Sequence, residues 1–320
     1  MEYFNYSLEQ IKNITVGALK VWQDEHAIFF AKCTEKQIEA WYALDKELGE
    51  RAKTTTGVRL DFHTNSETFA FKVQTKGCYE IYIDRVLTHV FCEQDFESET
   101  EKSIVLSGEE HRITLYLPSH SIGVLQWIKL DDNSTIIPHK CDYNILFMGD
   151  SITQGWESTW DSLSYAQSVS RFLNANSIIQ GIGGARYHSS TFDEDINYNP
   201  DIVIVAYGTN DWTCYQTIQE ARKQCCEFLD RLVSKYGNKK LFGISPTWRG
   251  DKNRELSMGS FSECTEYVKD EIRNHGMILI EGEKLIPPLS EFYSDGYLHP
   301  NAVGFSIYTQ SLLLEIQKHI

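Results

Sequence analysis

NILFMGDSIT, residues 144–153, is the stretch on which the architecture turns. NILFM (144–148) is an almost unbroken apolar run that stops at a glycine, the habit of a strand buried on both faces of a parallel sheet. Working outward, DSLSYAQSVSRFLNA (161–175) changes rhythm, with Tyr165, Val169, Phe172 and Leu173 on one helical face. SIIQGI (177–182), DIVIVAY (201–207), LFGIS (241–245) and MILIEG (277–282) repeat the apolar strand pattern. Between them a helix over about 216–235 turns Ile218, Cys225, Phe228, Leu229 and Leu232 inward. Another runs through Phe261, Cys264, Val268 and Ile272, and a last one, about 301–317, carries Phe305, Tyr308, Leu312 and Ile316. Strands alternating with helices predict an α/β domain over 141–320, a doubly wound, five-stranded parallel sheet.

Upstream, residues 1–140 read differently. VRLDF (58–62), ETFAFKV (67–73), CYEIYID (78–84), VLTHVF (86–91), SIVLS (103–107), HRITLYL (111–117) and IGVLQWIKL (122–130) are short and β-rich, with turn-like pieces between them. That spacing predicts a β-sandwich or jelly roll as a first domain. TEKQIEAWYALDKEL, starting at Thr34 with Gln37 three residues later, predicts a capping box and a single helix on this otherwise all-β domain.

Bulk properties narrow the function. The chain has 320 residues, a formal net charge of -15 and 42% hydrophobic residues. Acidic residues are spread along it, which disfavours nucleic-acid and anionic membrane partners and suits a neutral small-molecule substrate. No stretch approaches the roughly 18 continuous apolar residues of a membrane span. The N-terminus, MEYFNYSLEQIKNI, lacks the basic start and apolar run of a secretory leader, so a cytoplasmic location is expected. The eight cysteines form no CxxC pair and no zinc-like spacing with histidine. Buried thiols are therefore expected, with neither a disulfide framework nor a metal, and no cofactor.

Four blocks carry the chemistry, each at the carboxyl end of a strand or in a loop on that side, where ligands of open α/β sheets bind. Gly149-Asp150-Ser151-Ile152-Thr153 sets a serine at a strand-to-helix turn, beside backbone N–H groups; by itself Ser151 could equally be a helix cap. Gly181-Ile182-Gly183-Gly184 offers backbone N–H groups unshielded by a side chain. Gly208-Thr209-Asn210-Asp211 offers the Asn210 amide as a second donor, or as an Asx turn. Asp295-Gly296-Tyr297-Leu298-His299-Pro300 sets a carboxylate near an imidazole that could act as a base.

Occurring together and in this order, the four blocks resemble the SGNH, or GDSL-like, hydrolases over 143–320. The resemblance implies a flavodoxin-like sheet and a serine esterase needing no cofactor. Ser151 would be the nucleophile, His299 its base and Asp295 the orienting acid. Ser151 N–H, Gly184 N–H and the Asn210 amide would form the oxyanion hole. The acid lies four residues before the histidine instead of the family's three, so a backbone carbonyl remains an alternative orienter. Ile179 and Ala185-Arg186 also depart from the family's second block. The β-rich first domain extends the resemblance to family 2 carbohydrate esterases, which deacetylate polysaccharide sugars.

Aromatic side chains near the blocks, with Trp212 and Tyr187 first and Trp156 and Tyr297 after them, are candidates to stack on a sugar. Arg186 and Arg249 read as ligands for a sugar acid or as surface charges, with the second reading preferred. The expected function is removal of acetyl groups from carbohydrate esters such as acetylated xylo- or manno-oligosaccharides. A lipid esterase or lysophospholipase, a sugar O-acyltransferase and a carbohydrate-binding protein with a vestigial hydrolase domain are the alternatives. The oligomeric state is not legible.

Overall fold

The computed structural model describes residues 6–96 and 100–320. Met1–Asn5, part of the segment that bears on location, lie outside the described residues. The chain divides into two compact units. One takes residues up to Lys32, Lys53–Cys141 and Trp160–Ser162; the other takes Cys33–Ala52, Asp142–Thr159 and Leu163–Ile320.

In chain order the first part contains α1 (Leu8–Ile14), β1 (Thr15–Val16), β2 (Lys20–Gln23), β3 (Ile28–Ala31), α2 (Glu35–Leu44) and α3 (Lys46–Ala52). Then come β4 (Arg59–Thr64), β5 (Thr68–Val73), β6 (Tyr79–Ile83), β7 (Val86–Phe91), β8 (Glu101–Val105), β9 (His111–Tyr116), β10 (Leu125–Leu130) and β11 (Ile137–Pro138). These strands form two antiparallel sheets, ordered β1-β4-β9-β6-β7 with β11 also on β4, and β2-β3-β10-β5-β8. Leu60, Phe62, Ile81 and Ile113 from one sheet and Phe69, Phe71, Ile104 and Ile128 from the other belong to one buried cluster. Period-2 alternation supplies those inward residues.

Two expectations are corrected here. Cys78 and Cys92 are joined in a disulfide. The β6–β7 register pairs Tyr79 with Phe91, so the residues flanking that pair meet across the ladder; linear spacing carries no trace of this. The helical insertion is two helices, not one, and it belongs to the second unit. Thr34 does build the capping box with Gln37. The Gln37 side chain, however, exchanges amide hydrogen bonds with Gln180 at 2.8 and 3.0 Å, and Thr34 Oγ1 donates to Asp193 Oδ2 at 2.7 Å. Polar groups this well buried are held where their partners are.

The second unit continues with β12 (Tyr143–Gly149), α4 (Ser151–Gln154), α5 (Tyr165–Phe172), β13 (Ala175–Gly181), β14 (Ile202–Ala206), α6 (Asp211–Cys214), α7 (Ile218–Tyr236), β15 (Lys240–Ile244), α8 (Phe261–Asn274), β16 (Ile278–Ile280) and α9 (Ala302–Gln317). The sheet is parallel throughout, ordered β13-β12-β14-β15-β16. In order of appearance this is 2-1-3-4-5, the doubly wound arrangement, whose direction reverses at β12. Ile145, Phe147, Ile202, Ile204 and Phe242 pack with Tyr165 and Val169 of α5 and Phe305, Tyr308 and Leu312 of α9. Phe172, expected on the inner face, is exposed at the end of α5. Among the described residues no helix is long and apolar enough to cross a membrane.

Candidate active site

Parallel register brings three of the four blocks to one level. Gly149 lies beside Gly181 on one flank and Ala206 on the other, so the loops after β12, β13 and β14 leave the sheet together. This is the switch point of the sheet.

Asp150, not Ser151, caps α4, its side chain accepting from Ile152 N–H at 2.9 Å. Ser151 is thereby the first helical residue, its N–H is one of the donors a helix start leaves unpaired, and its hydroxyl is spared from capping. Ser151 Oγ lies 2.9 Å from His299 Nε2. His299 Nδ1 lies 2.7 Å from Asp295 Oδ2. A carboxylate accepts only, so Nδ1 carries the proton and Nε2 presents its lone pair to the hydroxyl.

The Asp295–His299 loop shows how the four-residue spacing is absorbed. Gly296 adopts φ +77°, and the Asp295 carboxylate accepts from the N–H groups of Tyr297 at 3.0 Å, Leu298 at 2.8 Å and His299 at 3.1 Å. Partial burial works against ionisation, but these N–H groups and His299 hold Asp295 below its ordinary range. The turn aims the carboxylate and the imidazole at each other. Ser294 N–H donates to His299 O at 2.8 Å and closes the loop.

The glycine loop is fitted around α4. A Cβ on Gly181 would lie 2.4 Å from Gln154 N, so only glycine lets the last turn of α4 seat on β13. Gln154 Oε1 accepts from Gly183 N–H at 2.7 Å and from the Trp156 indole at 3.2 Å. Arg51 of α3 donates to Gly183 O at 2.8 Å and stacks over Trp156, 5.2 Å from its ring centre. Gly184 then takes φ +85°. Asn210 stands at the N-cap of α6 but makes no side-chain capping bond; its amide donates to Ala185 O at 2.9 Å, which fixes its plane and leaves its second hydrogen to point elsewhere.

Behind the nucleophile turn lies a cavity of about 20 Å³ lined by Asp150, Thr153, Tyr207, Thr209, Thr247 and Tyr308, room for about one water. Burial pushes the Asp150 carboxyl up to about 7, against the pull of Ile152 N–H and of Arg249. Asp211, equally buried, is also pushed up to about 7.

Of the aromatic candidates, Trp156 is half-buried with its ring 6.1 Å from that of His299, and Tyr297 is 40% exposed on the acid–base loop. Trp212 and Tyr187 are corrected: both are fully buried and reach no solvent. The Trp212 indole donates to Gly259 O at 2.9 Å and its ring lies under Arg249, 4.8 Å away. Tyr187 packs edge-on against Tyr207 and Phe228. Their sequence positions beside the motifs are genuine, but the chain turns inward after each loop. Arg249, expected at the surface, is 3% exposed and binds Asp251 and Thr209 O. Gln154 and Arg51 escaped the sequence reading. Gln154 directly follows the GDSIT block, whereas nothing in the linear pattern links Arg51 to a loop it reaches across 132 positions.

Comparison with known proteins gives a consistent fold. Residues 147–307 match the GDSL-like Lipase/Acylhydrolase family. No curated protein matches the sequence. Among solved structures, the salicylyl-acyltransferase SsfX3 from a tetracycline biosynthetic pathway superposes with a TM-score of 0.79 at 17% identity, over 95% of this chain and 94% of that one. A family two carbohydrate esterase from Clostridium thermocellum in complex with cellohexaose gives 0.61 at 18%, over 82% and 92%. The acetyl xylan esterase Est2A from the rumen bacterium Butyrivibrio proteoclasticus gives 0.58 at 16%, over 82% and 89%. At these identities the likeness is one of fold.

Proposed function

The chain belongs to the GDSL-like lipase/acylhydrolase family, and on that premise we propose that it is a serine esterase that removes small acyl groups, acetyl above all, from carbohydrate esters. The observation that carries the reading is the relay Ser151 Oγ–His299 Nε2 at 2.9 Å and His299 Nδ1–Asp295 Oδ2 at 2.7 Å, at the switch point of the sheet.

Ser151 attacks the ester carbonyl as His299 takes its proton. Negative charge develops on the carbonyl oxygen. Ser151 N–H, Gly184 N–H and the second hydrogen of the Asn210 amide receive it. The tetrahedral species collapses, and His299 hands the proton to the departing sugar hydroxyl. Water, deprotonated by His299, then attacks the acyl-enzyme, and Ser151 leaves with the proton returned. Asp295, held ionised by its N–H donors, stabilises the imidazolium in both halves. No step requires a cofactor. Trp156 and Tyr297 are the side chains placed to touch the alcohol portion of the substrate. The two antiparallel sheets of the first unit are read as a jelly-roll-like accessory domain, and α2–α3 as part of the catalytic one.

A second reading is favoured by one observation, the fold shared with a salicylyl-acyltransferase: the acyl-enzyme could pass its group to an alcohol instead of water. The deciding experiment is acetate release from acetylated xylo- and manno-oligosaccharides by the wild type and by Ser151→Ala. Release by the wild type alone supports the sugar esterase. Release by both refutes the role of Ser151. An acyl-enzyme that forms but is discharged only by an added sugar moves the assignment to acyl transfer.

A further inference from the structure

The side chains of Cys226, Asp230 and His275 converge between α7 and α8, and no step of the esterase mechanism uses them. Cys226 and Asp230 are four residues apart on α7, on one face. His275 caps the carboxyl end of α8. Asp230 Oδ1 lies 3.3 Å from His275 Nε2, Cys226 Sγ lies 3.9 Å from Asp230 Oδ2, and Cys226 Sγ lies 4.0 Å from His275 Nε2. A tetrahedral zinc with Zn–S about 2.3 Å and Zn–N and Zn–O about 2.0–2.1 Å has ligand-to-ligand edges of about 3.3 Å for N–O and about 3.5 Å for edges to sulfur. Asp230 meets its two partners through different oxygens, Oδ1 toward His275 and Oδ2 toward Cys226; with one ligand atom from each residue the three donors lie within 4.8 Å of one another, and a small rotation of the exposed Asp230 side chain brings them onto one face of such a tetrahedron.

The imidazole is prepared for this. His275 Nδ1 lies 2.6 Å from Glu271 O. A carbonyl oxygen only accepts, so Nδ1 carries the hydrogen and Nε2 turns toward the cluster. A backbone partner on the remote ring nitrogen is the usual way a metal-bound histidine is oriented. A neutral imidazole lone pair and a carboxylate oxygen facing each other at 3.3 Å repel unless a cation lies between them, and a proton or a metal can fill that role. The Glu271 carboxylate, 3.8 Å from His275 Nδ1, adds negative potential, partly offset by Arg222, which binds its other oxygen at 2.7 Å.

We propose that Cys226, Asp230 and His275 bind one thiophilic divalent cation of the zinc class, which ties α7 to the end of α8. The exposed side of Asp230 leaves the fourth position to solvent. A thiolate–imidazole–carboxylate set selects zinc over calcium or magnesium. The expectation of no metal rested on linear spacing, whereas this donor set joins residues 49 positions apart on two helices.

The test uses the full chain, stripped of metal with the Cys226 thiol free and the Cys78–Cys92 disulfide intact, titrated first with Co²⁺ and then with Zn²⁺. One equivalent of Co²⁺ is expected to produce a thiolate-to-cobalt charge-transfer band with the visible bands of a tetrahedral site, bleached by one equivalent of Zn²⁺. Cys226→Ser should abolish the charge-transfer band, and His275→Gln should weaken Zn²⁺ binding at least tenfold. Cys214→Ser, at an exposed thiol outside the cluster, should bind as the wild type does. Circular dichroism checks each variant, and His275→Gln decides the matter should Cys226→Ser not fold. No band at one equivalent, or stoichiometric binding that survives in folded Cys226→Ser and His275→Gln, means an adventitious ion only and overturns the proposal. Esterase activity is not the readout, so the outcome is independent of the function proposed for Ser151.

Discussion

Replacing Asp295 with Asn tests the relay more sharply than removing the side chain, because the structure dictates which way the amide turns. Asp295 Oδ1 accepts three backbone N–H groups, from Tyr297, Leu298 and His299, and Oδ2 faces His299 Nδ1. An asparagine that keeps its oxygen on the three N–H groups must present its NH₂ to Nδ1. The imidazole then adopts the other tautomer, with hydrogen on Nε2, and cannot accept the Ser151 proton. The opposite flip restores the tautomer but sets an NH₂ against three donors. At about 1 kcal/mol per neutral hydrogen bond, three lost against one gained favours the inactive orientation by about 2 kcal/mol. That is about 30-fold in population at 1.4 kcal/mol per decade. Loss of the anion beside the imidazolium removes a further 1.5–3 kcal/mol or so, about 10- to 100-fold. The expected fall in kcat/KM on p-nitrophenyl acetate is therefore about 10³-fold, smaller than for His299→Ala, with the melting temperature nearly unchanged because the turn keeps its bonds. A fall below tenfold in a folded variant would refute Asp295 as the orienting group. A large drop in melting temperature would refute the assumed amide orientation.

Other substitutions probe the neighbouring features. Asn210→Ala should lower kcat by about 10²–10³-fold with KM little affected, as for one lost oxyanion donor; a KM effect alone would assign Asn210 to ground-state binding. Arg51→Met removes the charged hydrogen bond to Gly183 O but keeps an apolar stem over Trp156. Loss of about 1.5–2 kcal/mol of support to the glycine loop predicts roughly a tenfold lower kcat/KM; unchanged kinetics would mean that Gln154 holds the loop alone. Asp150, with its carboxyl near 7 when folded against 3.8 ordinarily, keeps in the folded state a proton that the unfolded chain has released. Its contribution to stability is full below about pH 4 and is lost as pH rises through about 7. Asp150→Asn should therefore flatten the decline in unfolding free energy between pH 5 and 7.5, by an amount on the order of a few kcal/mol. Denaturant melts at the two values measure it, and an unchanged slope refutes an abnormal Asp150.

The blocks around Ser151 and His299 were legible because their chemistry is local. A serine after an apolar strand, and an acid within a few residues of a histidine, need only a turn to bring the key atoms together. The strands were legible for a similar reason. Burial on both faces leaves continuous apolar runs such as DIVIVAY, and burial on one face leaves alternation such as HRITLYL. Aromatic neighbours of the motifs were a poorer guide. Trp212 directly follows its block and Trp156 stands three residues beyond its own, yet the nearer one lies under Arg249 in the core and the farther one beside His299. A side chain's distance from a motif along the chain does not say which way the backbone turns after it.

What the sequence by itself determined, then, is what periodicity and short spacing can encode: the parallel sheet, the β-rich first unit and the order of the four blocks. Only the tertiary structure decided the rest. It assigned α2 and α3 to the second unit through Gln37 and Gln180, brought Arg51 to the glycine loop, made Asp150 the cap that spares the Ser151 hydroxyl, and joined Cys78 to Cys92. It also gathered Cys226, Asp230 and His275 onto two helices. Most of these depend on strand register and helix packing, which bring together residues far apart in the chain. Such meetings are settled by the burial of the whole core, and a one-dimensional pattern does not record them.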